Sequence, residues 1–143
     1  MRLRLARTLL GLPILGLLSC SKPPDISGEL EEYANLLNAI AGETCECPDD
    51  AGFATVDECV DVLLVDADER ACQADAFEGH EDAGKDYLDC AIGALDDYLD
   101  CLSMNPGCAV GWWDDCTTTY QDAEAACPRA SAAVQDQFSG CLL

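Results

Sequence analysis

Positive charge is nearly absent from this chain once its first seven residues are passed. Seven lysines and arginines stand against 28 aspartates and glutamates. Three of the seven are Arg2, Arg4 and Arg7, and no acidic residue precedes Asp25. Beyond residue 19 only Lys22, Arg70, Lys85 and Arg129 remain. Nucleic acid is thereby excluded as a partner, because phosphate binding needs a basic face. An anionic lipid surface repels such a domain for the same reason. Histidine is reduced to His80, and there is no C-x-x-C pair, which removes the common zinc-ligand sets. G-x-S-x-G, H-E-x-x-H and phosphate-loop patterns are also missing, and carboxylates are too abundant for any pair to signal acid–base catalysis. Strand alternation of useful length is lacking, and aromatics make up 6% of the chain. No catalytic constellation is left, and the expectation is a non-enzymatic protein.

What the chain has is cysteine: eleven of them, dividing into Cys20 and ten more between Cys45 and Cys141. Cys20 ends the stretch Leu17-Leu18-Ser19-Cys20, which follows an apolar run from Leu9 to Leu18 set behind the three arginines. Ten apolar residues are too few for a membrane-spanning helix, which needs about 20. The layout is that of a signal peptide. Residues 17–20 resemble the lipobox of bacterial lipoproteins. That resemblance covers residues 1–20 and implies a diacylglyceryl group on the Cys20 thiol, cleavage before Cys20, and acylation of the new N-terminus. Such multiple chains give stable anchoring. By the family's sorting habit, Ser21 after the cysteine implies the outer membrane of the bacterial envelope. The expected organisation is a signal segment at 1–19, a lipidated cysteine and short tether at 20–25, and one domain at 26–143.

Loss of residues 1–19 removes three basic residues and takes the formal net charge from −21 to −24. Charge of this size keeps a protein soluble, and it permits a cationic partner, either a basic protein or divalent ions. Ten cysteines in the remaining 124 residues reach the density of a disulfide scaffold in an exported protein. An even count suits a closed framework of five disulfides.

The pattern predicts an all-α fold, a small disulfide-rich bundle of helical hairpins with five to six helices. Ile26, Leu30, Tyr33, Leu37 and Ile40 recur at helical spacing, with Gly42 expected to end that helix. Thr55 and Glu58 form a capping-box pattern, and Val56, Val60, Leu63 and Leu64 are expected on the buried face that follows. Asp66-Ala67-Asp68-Glu69 interrupts the apolar stripe before a weaker segment from about Glu69 to Glu78. A long helix follows from about Asp82 to Leu102, with Tyr87, Ala91, Ala94, Leu95, Tyr98 and Leu102 on one stripe, until Asn105-Pro106-Gly107 breaks it. A further helix spans about Trp113 to Ala126, and a short final one carries Val134, Phe138 and Cys141.

Cysteine spacing adds tertiary information. Cys90 and Cys101 are eleven apart, and so are Cys116 and Cys127. Eleven residues overshoot three helical turns by only about 20°, so each pair shares one helix face. Antiparallel packing across a short turn then pairs Cys90 with Cys127 and Cys101 with Cys116. This layout resembles the twin-cysteine helical hairpins of the CHCH type, over residues 90–127 and with C-x10-C spacing, and implies architecture alone. A final helix returning along the hairpin would bring Cys141 to Cys108. Cys45 and Cys47 are then left for Cys59 and Cys72. One straight helix cannot bring Cys59 and Cys72 to adjacent partners, because thirteen residues separate them by about 20 Å. A real turn at Asp66–Glu69 is therefore required.

Candidate chemistry is sparse. Asp66, Asp68 and Glu69 are the best metal-ligand candidates, although the EF-hand pattern fails because Arg70 and Ala71 follow them. Cys45-Glu46-Cys47 has the form of an exchange pair, but Glu43, Glu46, Asp49 and Asp50 surround it and would raise a thiol pKa. Trp113 fits the buried stripe, leaving Trp112 as an exposed contact residue. The sequence therefore predicts no cofactor beyond the lipid on Cys20. The expected function is structural support or protein contact at a membrane, with divalent-cation binding as the alternative and thiol–disulfide exchange behind it.

Overall fold

The computed structural model describes residues 22–104 and 107–142, so Cys20 and the signal segment expected at 1–19 lie outside the described residues. The described chain is all-helical: α1 (Ser27–Cys45), α2 (Val56–Leu63), α3 (Ala67–Ala76), α4 (Glu81–Ser103), α5 (Trp112–Ala125), α6 (Ala132–Ser139) and a closing 3-10 turn, Gly140–Leu142. The long helix α4 is the spine. Its stripe of Tyr87, Leu88, Ala91, Ala94, Leu95, Tyr98 and Leu102 is buried, and α1 and α5 pack alongside it.

Two sets of contacts fix the helix directions. Lys85 near the start of α4 pairs with Glu29 near the start of α1, and Cys47 just past α1 is bonded to Cys108 just past α4. These helices therefore run parallel. Cys90–Cys127 and Cys101–Cys116 clamp α4 to an antiparallel α5, as the spacing predicts. At the end of the bundle where α1 and α4 begin, four rings meet. Phe138 of α6 lies 4.8 Å from Phe77, 5.5 Å from Tyr33 and 5.6 Å from Tyr87 between ring centroids. One aromatic cluster thus ties α1, the end of α3, α4 and α6 together.

That cluster explains two corrections to the expected disulfides. Cys108 does not pair with Cys141. Cys127 sits opposite Cys90, so the chain leaves α5 near the start of α4. Helix α6 has eight residues, about 12 Å of length, and α4 is about 34 Å long. Docked on the aromatic cluster, α6 cannot return to the far turn that holds Cys108. Cys141 instead meets Cys72 of α3, and Cys108 meets Cys47. Of the pairings expected among Cys45, Cys47, Cys59 and Cys72, only Cys45–Cys59 forms. The break between α2 and α3 is real but lies at Leu64–Asp66, with Ala67–Glu69 already in the first turn of α3, and it aims Cys72 at the C-terminus.

Two local expectations also change. Helix α1 runs through Gly42 to Cys45, because Thr44 and Cys45 beyond the glycine are buried. On α2, Val56 is 50% exposed, Leu63 36% and the following Leu64 42%. The residue this helix buries is Cys59. Thr55 does cap it, accepting from Glu58 N at 3.1 Å, while Glu58 reaches back to Ala54 N rather than to Thr55.

Gly84 and Gly93 lie on the same helix in opposite situations. A Cβ at Gly84 would stand 2.8 Å from Cγ of the fully buried Phe77, whereas one at Gly93 meets nothing within 4 Å. Gly84→Val is expected to destabilise the fold by about 1–3 kcal/mol through overpacking. Gly93→Ala should stabilise it by about 1 kcal/mol through helix propensity. Equal melting shifts for the two would refute this account of the ring contact.

Burial, the leading cause in each case, raises the hydroxyl pKa of all four tyrosines, Tyr33, Tyr87, Tyr98 and Tyr120. Their folded values lie above the unfolded value of about 10, so this contribution to stability is complete below that pH and declines above it. Alkaline titration should show tyrosinate absorbance rising together with loss of helical circular dichroism. A tyrosinate step near pH 10 with the helices intact would contradict the assigned burial.

Candidate functional site

The α2–α3 region forms an apolar groove against the C-terminal half of α1. Leu37, Ile40 and Ala41 of α1 form one wall, and Val62, Leu63 and Leu64 form the other. Val65, Glu69 and Leu142 complete the lining of a cavity of about 210 Å³. Val62 is 63% exposed, and with Val56, Leu63 and Leu64 it accounts for most of the large exposed hydrophobic side chains among the described residues.

Each wall is fixed by a specific contact. Cys45–Cys59 bolts α2 to the end of α1. The Asn38 side chain accepts from Val65 N at 2.7 Å and donates to Val65 O at 3.3 Å. One amide therefore satisfies both backbone groups of the residue at the base of the α2–α3 turn. Asp66 then begins α3 with a full capping box. Its Oδ1 accepts from Asp68 N at 2.8 Å and Glu69 N at 2.9 Å, and Glu69 Oε2 accepts from Asp66 N at 2.7 Å. Cys72–Cys141 brings Leu142 to the groove's edge.

This cap reassigns the metal candidates Asp66, Asp68 and Glu69. The Asp66 and Glu69 carboxylates hold backbone N–H groups at a helix start, where negative charge is favoured. Calcium asks for six to eight oxygens wrapped around the ion, and three residues of a capping box do not supply that set. A second cluster places Cys47 Sγ, Cys108 Sγ and an Asp50 carboxylate oxygen within 4.8 Å of one another. The two sulfurs are bonded to each other, so neither is a thiolate donor in this state.

Trp112 was expected to stand exposed as a contact residue. Both tryptophans are instead half-buried against the core, and the indole Nε1 of each is buried. Helix α5 begins at Trp112, after Gly111 with φ 85°, and Trp112 packs against the core. His80 is exposed just before α4. Asp96, Asp97 and Asp100 lie on an exposed face, and Asp114 and Asp115 fall in the first turn of α5.

Sequence reasoning missed the groove, although a signal was present. Val62-Leu63-Leu64-Val65 is four consecutive apolar residues, and at 100° per residue they cannot all face one core. Only Val65 of the four is buried. Among the described residues no helix is long and apolar enough to cross a membrane.

Cys108 is the exposed member of the ten bonded cysteines, so its sulfur is the most open to attack. Limiting dithiol reductant should open Cys47–Cys108 first. Alkylation mapping would then mark Cys47 and Cys108 while helical circular dichroism persists, and complete reduction should unfold the domain. First labels on Cys45 or Cys59 would refute this order.

Comparisons with protein-family models, curated proteins and solved structures returned no match, so the functional conclusion rests on the groove and the sequence signals described above.

Proposed function

We propose that this protein is a non-enzymatic, lipid-anchored envelope module that makes protein contacts through the α1–α2 groove. The carrying observation is the groove itself: open, aliphatic and rigidly held on a strongly acidic molecule. Exposed apolar patches rimmed by polar residues mark interaction sites. Val62 is 63% exposed and Leu63 and Leu64 36% and 42%, so a partner covering them would gain roughly half of the 1.5–3 kcal/mol that full burial of each side chain is worth. Disulfides support the envelope assignment, since they persist in oxidising compartments. Cys20 in its lipobox-like setting supports the anchor, and the signal segment supports export to the outer membrane.

Two measurements test this. Radiolabelled palmitate should enter the wild-type protein and not Cys20→Ala, which should also leave the membrane fraction. Label retained in Cys20→Ala would overturn the anchor. A photo-crosslinking amino acid at Leu63 should give a discrete adduct with another envelope protein in intact cells, and the same probe at Asp97 should not. Equal adducts at both positions would overturn the groove as the contact surface.

A further inference from the structure

Four features of the groove bear on what fills it: its size, its shape, its sign and the charge of the molecule around it. The cavity of about 210 Å³ is smaller than the roughly 300–1,000 Å³ of small-molecule sites. It suits one or two inserted side chains rather than an enclosed organic ligand. Its walls are helices, and the described residues contain no strand whose edge an extended peptide could join. That leaves a helix laid in a groove, read through apolar anchors at i, i+3 and i+4.

The sign is negative throughout. Asp61 and Asp66 bracket the apolar run and are exposed, and Glu69 is part of the lining. No basic side chain lines the groove. Arg70 lines a separate depression between α1 and α3, together with Glu31 and Asn35. Lys85 is paired with Glu29 and Asp89, and Arg129 with Glu124. A second copy of the chain would bring an equally negative molecule to this surface, and an anionic membrane would repel it.

We propose that the groove receives a cationic amphipathic helix of a partner protein, with aliphatic anchors seated between α1 and α2 and flanking lysines or arginines over Asp61, Asp66 and Glu69. This rests on the groove being the contact surface, and it adds the partner's chemistry. Charge steers the encounter and selects the partner, while the apolar anchors supply the residence time.

The test uses the purified, disulfide-bonded protein and two fluorescein-labelled peptides. One is a leucine–lysine sequence with helical amphipathic spacing. The other keeps its leucines and replaces every lysine by glutamate. Fluorescence anisotropy is read at physiological ionic strength. The double variant Val62→Ser/Leu64→Ser removes apolar surface without changing charge, and Val110→Ser is the control at an apolar residue fully exposed elsewhere.

The leucine–lysine peptide should bind saturably, weaken about tenfold or more in the groove variant and be unchanged in the control. The glutamate peptide should not bind. Equal binding of the lysine peptide to wild type and groove variant would overturn the proposal, because attraction to the acidic surface alone would explain it. Groove-dependent binding of the glutamate peptide would overturn the cationic partner and leave the groove standing as a contact surface. Absence of binding by both peptides would overturn the proposal. A dimer seen by sedimentation and dissolved by the groove variant would assign the groove to a second copy instead.

Discussion

Self-repulsion is what this molecule must overcome before any helix can pack. Carboxylates outnumber basic residues fourfold in the whole chain, 28 against seven, and they occupy the outer faces of every long helix. The core that opposes them is modest. Its aromatic part among the described residues is Tyr33, Phe77, Tyr87 and Phe138 in one cluster and the stacked Tyr98 and Tyr120 in another, with Trp112 and Trp113 half-buried against it. Alanines and cysteines fill much of the remainder. Cross-links contribute about 2–4 kcal/mol each by restricting the unfolded chain, and five of them act here. Unlike ion pairs, they need no positive charge.

Where the cross-links fall determines which parts of the molecule are rigid. Two clamp α4 to α5, and the remaining three each hold a segment with little core of its own. Helix α2 is the extreme case, since it buries Cys59 and leaves Val56, Val62 and Leu63 exposed. Without Cys45–Cys59 and the Asn38–Val65 amide pair, hydrophobic burial alone would give this helix no fixed position. A covalent staple therefore permits an apolar surface that a packing-stabilised helix would bury. The exposed groove follows from the way this chain is held together.

The same logic separates what was legible in the sequence from what was not. Helix periodicity made the spine α4 readable, because a long amphipathic helix reports its buried face directly. Equal eleven-residue spacings made both α4–α5 disulfides readable, since those bonds depend on two adjacent helices and one short turn. Cys72–Cys141 depends on where α6 docks, and with Cys141 so placed Cys108 falls to Cys47. The docking of α6 is set by Phe138 meeting Phe77, Tyr33 and Tyr87, three rings distant in sequence, and no local pattern encodes their meeting. Gln73, fully buried in α3, was invisible for the same reason. The buried face expected for α2 rests on amphipathicity, which says that a helix has an apolar side. It does not say that the chain covers it.

Geometry also relates the proposed anchor to the groove. A tether at residues 20–25 would lead into the start of α1, and the groove uses Leu37, Ile40 and Ala41 further along the same helix. At 1.5 Å per residue that is a displacement of roughly 15–20 Å. The proline pair Pro23-Pro24 stiffens the approach to α1. A groove beside the tether would be crowded by the lipid surface that a lipid on Cys20 would engage. One displaced along α1, and ringed by carboxylates that anionic headgroups repel, stays available to a protein. Anchor, charge and groove position are thus compatible with one arrangement, in which the membrane holds one end of the bundle and the other is left for contact.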